Sequence, residues 1–399
     1  MLNGVTILEL GQVIAGTYGG AILAELGAEV IKVEPPRGDT ARNAKIAPLR
    51  DNESSIHLFM NRCKKSVVID LKSEEGLSVF LDLVETADVV VDNFRPGVMA
   101  RLGIDHAALQ ARNPDIITVS ITGFGETGPL KDKAAFDLVI QAYSGHMDIT
   151  GDSDGPPARV GIPLADISGG IFSCISVLAA LAERGLGGGG RHADVAMLDS
   201  LVSMLSYDAL DHLNSGRPVE RHGTAHAHMV PWQAFEAADG YVVVAARDEK
   251  FWRNLCGALG RPELADDERF DNNAKRVENR DQIVPILTDV FKTKPKAEWA
   301  EILDRHDIPA APVNDVGEVF ADPQVRSRDM VKTYDHPTLG PIDYPPMPVK
   351  FSDWTIPTRS APMLGEHSRE ILEGRLGMAP ARVTELIESG AIGIWSPPE

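Results

Sequence analysis

Cysteine is scarce in this chain of 399 residues: Cys63, Cys174 and Cys256 are far apart and odd in number. That excludes a disulfide framework and a thiolate zinc site, and it fits free thiols in a reducing cytoplasm. Positive charge is in deficit, with 39 Lys and Arg against 58 Asp and Glu, a net charge of −19 with histidine neutral. Nucleic acid and anionic membrane surfaces both need a basic footprint, so neither is an expected partner. Long hydrophobic runs are missing too. The longest uncharged apolar stretch, residues 167–182, contains Gly and Ser and is shorter than the roughly 18–20 residues of a membrane span, so it reads as a buried helix of a soluble protein. No basic segment precedes the first apolar run, which contains Glu9, so a signal peptide is not expected.

What is present is a globular composition, 43% hydrophobic and 24% charged, long enough for two domains or three. Residues 5–10, Glu29–Glu34, 67–71, Val89–Asp92 and 116–121 are apolar runs of strand length. Between them lie helical patterns at 17–26 and Glu74–Glu85. Strands separated by helices imply crossover units and a mostly parallel α/β sheet. A further run at 193–198 follows the breaker Gly187 to Gly190. After about residue 215 the texture changes: a strand at 241–246 and helical stretches at 250–259 and 282–303 predict a smaller α/β or α+β unit. Residues 309–362, rich in proline, read as a long and mainly extended connector.

Several residues could carry chemistry. Gly11, Gly16, Gly19 and Gly20 follow the first strand and could let a phosphate approach, but the spacing is not G-x-G-x-x-G, so a dinucleotide fingerprint fails. Glu34 ends the second strand as a ribose-binding acid would, or as an ordinary strand-end carboxylate. Basic residues concentrate between Lys32 and Lys133, where 14 Lys and Arg face 15 Asp and Glu. Arg37, Arg42, Lys64, Lys65, Arg95 and Arg101 fall near predicted strand ends, where open α/β sheets bind ligands, and as a group suit a phosphate-bearing one. His222, His226 and His228 lack the carboxylate pattern of a metal site and read as a polar loop. No G-x-S-x-G nucleophile elbow is present. Asp166 stands directly before a helix expected to begin near Ser168. It is either a helix N-cap or, held ionised by the N–H groups of Ser168 to Gly170, a nucleophilic carboxylate.

These motifs together resemble one family, the family III CoA-transferases or CaiB/BaiF group, which also includes formyl-CoA transferase-like enzymes and α-methylacyl-CoA racemases. The resemblance runs through Leu8-Glu9-Leu10-Gly11, Val13-Ile14-Ala15-Gly16 and Leu26-Gly27-Ala28-Glu29 with Lys32-Val33-Glu34-Pro35-Pro36. It continues through Asn61-Arg62-Cys63-Lys64-Lys65-Ser66, Asp92-Asn93-Phe94-Arg95-Pro96-Gly97, Gly123-Phe124-Gly125 and Phe136-Asp137-Leu138 to Asp166.

The resemblance implies a Rossmann-like large domain over residues 1–200, a linker at 201–224 and a small domain at 225–310. Residues 311–399 would be a proline-rich connector and a C-terminal segment returning to the large domain, in an interlocked dimer. It implies that Asp166 is the catalytic residue, passing through a mixed anhydride and an aspartyl-CoA thioester, with acyl-CoA thioesters as substrates and no tightly bound cofactor or metal. The CoA contacts carried over are Val13, Ala15, Arg37, Leu71, Asn93, Phe94, Arg101 and Lys133. The family's Gly-rich loop corresponds to Gly223-Thr224-Ala225-His226-Ala227-His228, which has one glycine. Racemases of the group place a His where this chain has Phe136, which cannot move a proton. His146, expected later on the same helix, is too far along to replace it. A CoA-binding subunit of a hetero-oligomer, or a homodimer, is the expected partner arrangement. Arg159, His226, His228 and Arg247 could receive a second carboxylate, which suggests succinyl-CoA as donor.

Overall fold

The computed structural model describes residues 1–44, 49 and 53–396. Its strands are β1 (Thr6–Glu9), β2 (Glu29–Glu34), β3 (Lys65–Ile69), β4 (Val89–Asp92), β5 (Ile117–Thr122), β6 (His192–Ala196), β7 (Trp232–Ala237), β8 (Gly240–Ala245), β9 (Ala310–Pro312), β10 (Lys332–His336), β11 (Gly340–Tyr344) and β12 (Ile392–Gly393). Seven of them make one sheet in the order β12-β3-β2-β1-β4-β5-β6. β1 to β6 pair in parallel, and β12 runs antiparallel along β3, covering an edge that would otherwise expose unpaired backbone groups. This is the mostly parallel α/β sheet that the alternating runs predict. Its central strands are buried on both faces, Ile7, Leu8, Val30, Ile31, Val89 and Val90 among them, which is why they read as continuous apolar runs. The chain leaves β1 toward β2 on one side and returns to β4 on the other. The C-terminal ends of β1 and β4 therefore flank the switch point at which such sheets bind ligands.

The chain divides into two compact units, one of residues 1–146, 160–215 and 327–399, the other of 147–159 and 216–326. The expected linker at 201–224 is helical through Ser206–Ser215 and belongs to the first unit up to that residue. Residues 147–159 and 311–326 belong to the second unit, not to the segments that the sequence assigned them.

In the second unit β7, β8 and β9 form an antiparallel sheet. Its core is Phe235, Val242, Val244, Trp252, Leu287, Phe291 and Trp299. The helical stretch expected over 282–303 is two helices, Arg280–Phe291 and Lys296–Arg305, because Pro295 caps the second in an extended conformation.

The proline-rich connector is less extended than expected. It holds the helices Val316–Ala321 and Pro323–Ser327 and the β10-β11 hairpin. In the first unit, Tyr334, Ile342, Tyr344 and Ala361 bury against Leu58. Further on, Met347 donates its backbone N–H to Glu25 and Trp354 its indole N–H to the Glu25 carbonyl, while Arg62 holds the same carboxylate at 2.9 Å.

The long apolar segment is the helix Leu164–Gly185. Among the described residues it is the one helix long and apolar enough to cross a membrane by length and composition. In the first unit it packs instead along the helix Ala15–Glu25. The contact is backbone on backbone: a Cβ added to Gly19 would lie 2.5 Å from the Gly170 carbonyl oxygen and 2.4 Å from the Ser173 hydroxyl. Glycine is required there by proximity, and no side chain at position 19 can be accommodated without moving a helix.

Gly19→Ala should therefore cost about 1–3 kcal/mol of unfolding free energy in urea. Gly185→Ala, at the open end of the same helix pair with nothing within 4 Å, should be neutral or slightly stabilising.

Candidate active site

β1 ends in a turn whose backbone is tied down group by group. Lys32 donates to the Gly11 carbonyl at 2.7 Å, and Asn93 exchanges two bonds with Gln12, accepting from its N–H at 2.9 Å and donating to its carbonyl at 3.0 Å. Val13 sits at φ +62°, a left-handed conformation unusual for a β-branched residue, and its N–H meets both Asp39 oxygens at 3.2 Å. The Thr17 hydroxyl donates to the Val13 carbonyl at 2.7 Å. The glycines around this turn serve packing. A Cβ on Gly11 would fall 2.0 Å from the Gly16 oxygen, and one on Gly20 would fall 1.8 Å from Glu9. Their open surface is thus taken by protein atoms.

Beside the turn lies a cavity of about 380 Å³ bordered by Leu10, Gln12, Glu34, Leu71, Lys72, Phe94, Arg101 and Leu102, among others. Of the residues expected to contact CoA, Leu71, Phe94 and Arg101 line it, and Asn93 braces Gln12 at its wall. Val13 is exposed on the turn, whereas Ala15 is buried in an apolar cluster and does not border the cavity. Arg37 is exposed but is not a wall residue. Lys133 lies over the rings of Tyr143 and Phe124 at 4.6 and 5.6 Å and does not border the cavity.

The basic group divides sharply. Lys64 is buried on Glu9 at 2.7 Å, Arg42 on Glu34 at 2.6 Å, and Lys65 bridges Glu29 and Glu370. Glu34 is thus an ion-pair partner at the cavity wall, held by Arg42 and the Ser66 hydroxyl well below the usual carboxylate range, at about 2, despite its burial. Arg37, Arg95 and Arg101 are exposed and in no ion pair among the described residues.

Asp166 is the third residue of its helix, which starts at Leu164 after Pro163. The start expected near Ser168 lies about one turn later than the observed one, so Asp166 is inside the helix and is not its N-cap. The N–H groups at this helix start are otherwise engaged: Leu164 donates to the Ile162 carbonyl, Ile167 to the Pro163 carbonyl, and Ala165 to the Asp137 carboxylate at 2.8 Å. Ser168 to Gly170 lie inside the helix and do not hold the Asp166 carboxylate. Burial, and next the neighbouring Asp137 charge, push the Asp166 carboxyl up to about 7. An ordinary aspartate ionises near 3.9, so this one has lost solvent without gaining a counter-charge.

The Asp137 carboxylate is itself placed by Gln141, which donates to it at 2.7 Å and to the Ile162 carbonyl at 3.3 Å, and accepts from Val160 at 2.9 Å. This buried amide ties the helix Asp137–Tyr143 to the strap leading into Asp166. Neither supporting role was read from the sequence, although the excess of charge inside the apolar strands, Glu9 and Lys32, was a signal for the network under the turn.

His146 is not on the Phe136 helix. That helix ends at Tyr143, and Gly145 at φ +85° turns the chain before His146. Phe136 is exposed at the helix N-cap. In the second unit, the carbonyls of His226 and Ala227 accept from Arg280 and that of His228 from Asn273.

An aspartate with a raised pKa penalises the folded state once the unfolded chain would ionise it. Asp166→Asn should equal wild type in stability near pH 4, gain on it as pH rises to 7, and level off about 1–3 kcal/mol more stable above that, after discounting for partial solvent exposure. Urea titrations across pH measure the difference.

The sequence profile of CoA-transferase family III matches residues 2–368. A Homo sapiens protein named succinyl-CoA:glutarate CoA-transferase is 36% identical over 98% of this chain and 90% of its own length. An Acetobacter aceti protein named acetyl-CoA:oxalate CoA-transferase is 37% identical, covering 91% of this chain and 93% of its own. Among solved structures, a CaiB/BaiF family protein from Brucella suis superposes with a TM-score of 0.85 at 37% identity, over 93% of this chain and 98% of that one. With fold, motif order and full-length similarity in agreement, the chain belongs to CoA-transferase family III.

Proposed function

We propose that this enzyme moves CoA from an acyl-CoA thioester, succinyl-CoA in particular, to a dicarboxylic acid, with Asp166 carrying the activated carbonyl. The observation that carries the reading is the Asp166 carboxyl itself: half-buried, without a counter-charge, and raised to about 7 at the start of its helix. Such a group is substantially ionised at neutral pH yet more basic than a solvated aspartate, which favours it as a nucleophile. The acceptors named for the two relatives, glutarate and oxalate, are both dicarboxylates.

In the proposed sequence a carboxylate oxygen of Asp166 attacks the donor thioester carbonyl, giving a mixed anhydride and CoA thiolate. The thiolate attacks the aspartyl carbonyl, and the donor acid leaves with the bridging oxygen. The acceptor carboxylate then attacks the aspartyl thioester and expels the thiolate, which attacks the acceptor carbonyl and frees Asp166. Activation is conserved at each exchange, so the sequence calls for no ATP and no tightly bound cofactor.

For CoA, the cavity offers Leu71 and Phe94 as apolar walls for a base and Arg101 as a phosphate partner. Val13, Ala15, Asn93 and Arg37 would follow along the turn, while Lys133, engaged with two rings, is the weakest of the assigned contacts.

A homodimer fits the exposed apolar side chains of the first unit, where Leu138, Ile175, Tyr207, Leu210 and Leu213 are each at least half exposed. Three buried, unpaired thiols agree with a cytoplasmic setting.

Purified protein given succinyl-CoA and a panel of acids should exchange CoA, and Asp166→Ala should lose at least a thousandfold in rate. A variant that exchanges at wild-type speed removes Asp166 from the mechanism. No exchange by the lone wild type points to an obligate unlike subunit, and release of an α-proton without exchange points to a racemase. Because only the ionised carboxylate attacks, kcat/KM should rise with pH and level off with a midpoint near 7. Asp137→Asn removes a repelling charge and should move that midpoint downward.

A further inference from the structure

The turn that follows β1 is held in a conformation that its own sequence disfavours. A β-branched residue in the left-handed region is strained and persists only where surrounding groups over-determine it. Here they do, and the groups are charged. Asp39 is fully buried, accepts the Val13 N–H with both oxygens and accepts the Ala41 N–H at 2.8 Å. Lys32 rises from the middle of β2, pairs with Asp39 at 2.9 Å and donates to the Gly11 carbonyl at 2.7 Å. Lys32 and Asp39 therefore grip the turn from two sides, one by a carbonyl and one by an N–H, two residues apart. Glu9, 3.6 Å from Lys32 and bonded to Lys64 at 2.7 Å, completes the charge balance beneath.

Burying such a pair is a poor way to gain stability, because desolvation offsets most of the attraction. Gln12, inside the gripped segment, is a wall of the cavity, and Val13 is exposed beside it. We propose that Lys32 and Asp39 are positioning residues for acyl-CoA: their buried ion pair forces Val13 into the left-handed turn and so shapes the CoA-binding edge of the switch point. The inference rests on the proposed CoA chemistry, but neither residue touches the substrate or the reacting atoms.

The test is Asp39→Asn, which keeps the shape and removes the charge. Its KM for succinyl-CoA and its Kd for free CoA by calorimetry should rise at least tenfold, with kcat and the KM for the acceptor acid within threefold of wild type. Glycine adopts φ +62° without strain, so the same substitution made in a Val13→Gly background should raise the Kd for CoA by threefold or less relative to Val13→Gly alone. The proposal is overturned if folded Asp39→Asn binds CoA within twofold of wild type, if kcat falls as much as affinity, or if the effect is equally large in both backgrounds. Should Asp39→Asn not fold, the melting temperature of Val13→Gly decides. A rise shows that strain at this residue is being held in check and supports the proposal; a fall overturns it. Wild-type protein that binds no CoA at all would refute the functional reading instead, and the wild-type titration separates the two failures.

Discussion

The arrangement of the first unit depends on one close contact, the approach of the helix Ala15–Glu25 to the helix Leu164–Gly185 at Gly19 and Gly170. One helix begins at the turn after β1; the other carries Asp166 in its first turn. Where a side chain would wedge two helices apart, the paired glycines let the backbones meet, and a packed backbone contact has little room to slide. The switch-point turn and the carboxylate are thereby referred to each other through rigid helices.

Charge burial is the second theme. Beneath the turn the charges are matched: Lys32, Lys64, Glu9 and Asp39 interlock, and Arg42 answers Glu34. At Asp166 the logic is inverted, since the charge that acts on it, that of Asp137, bears the same sign. Paired charges hold backbone in place, and an unpaired one stores reactivity. Carboxylates raised in this way cluster at functional sites, although burial also raises Asp92, to about 6, at the end of β4.

Much of the fold was legible because buried parallel strands are apolar throughout, so β2 and β4 were read at their observed limits and β1, β3 and β5 nearly so. The order of strands was not legible, because pairing depends on crossover direction. The Asp166 helix was placed a turn late because Pro163 and Asp166 are each good residues for a helix start, and only tertiary contacts choose between an N-cap and a third position. The glycines after β1 suggested room for a phosphate and proved to be points of protein contact, a distinction that needs the partner helix. The basic residues near strand ends looked alike in sequence, yet burial divides them into Arg42, Lys64 and Lys65, spent on carboxylates, and the exposed Arg37, Arg95 and Arg101. The roles of Asp137 and Gln141 rest on bonds to residues about 20–30 positions away, such as Ala165 and Val160, which no local pattern records.

The central claim is that an oxygen atom of Asp166 passes to the departing acid and is replaced from the arriving one. Turnover with succinyl-CoA and an acceptor whose carboxylates carry heavy oxygen tests this directly, with the protein digested and the peptide containing residue 166 weighed. The account predicts heavy oxygen in the Asp166 carboxyl and in no other carboxyl of the chain. Continued CoA exchange with Asp166 unlabelled would contradict it.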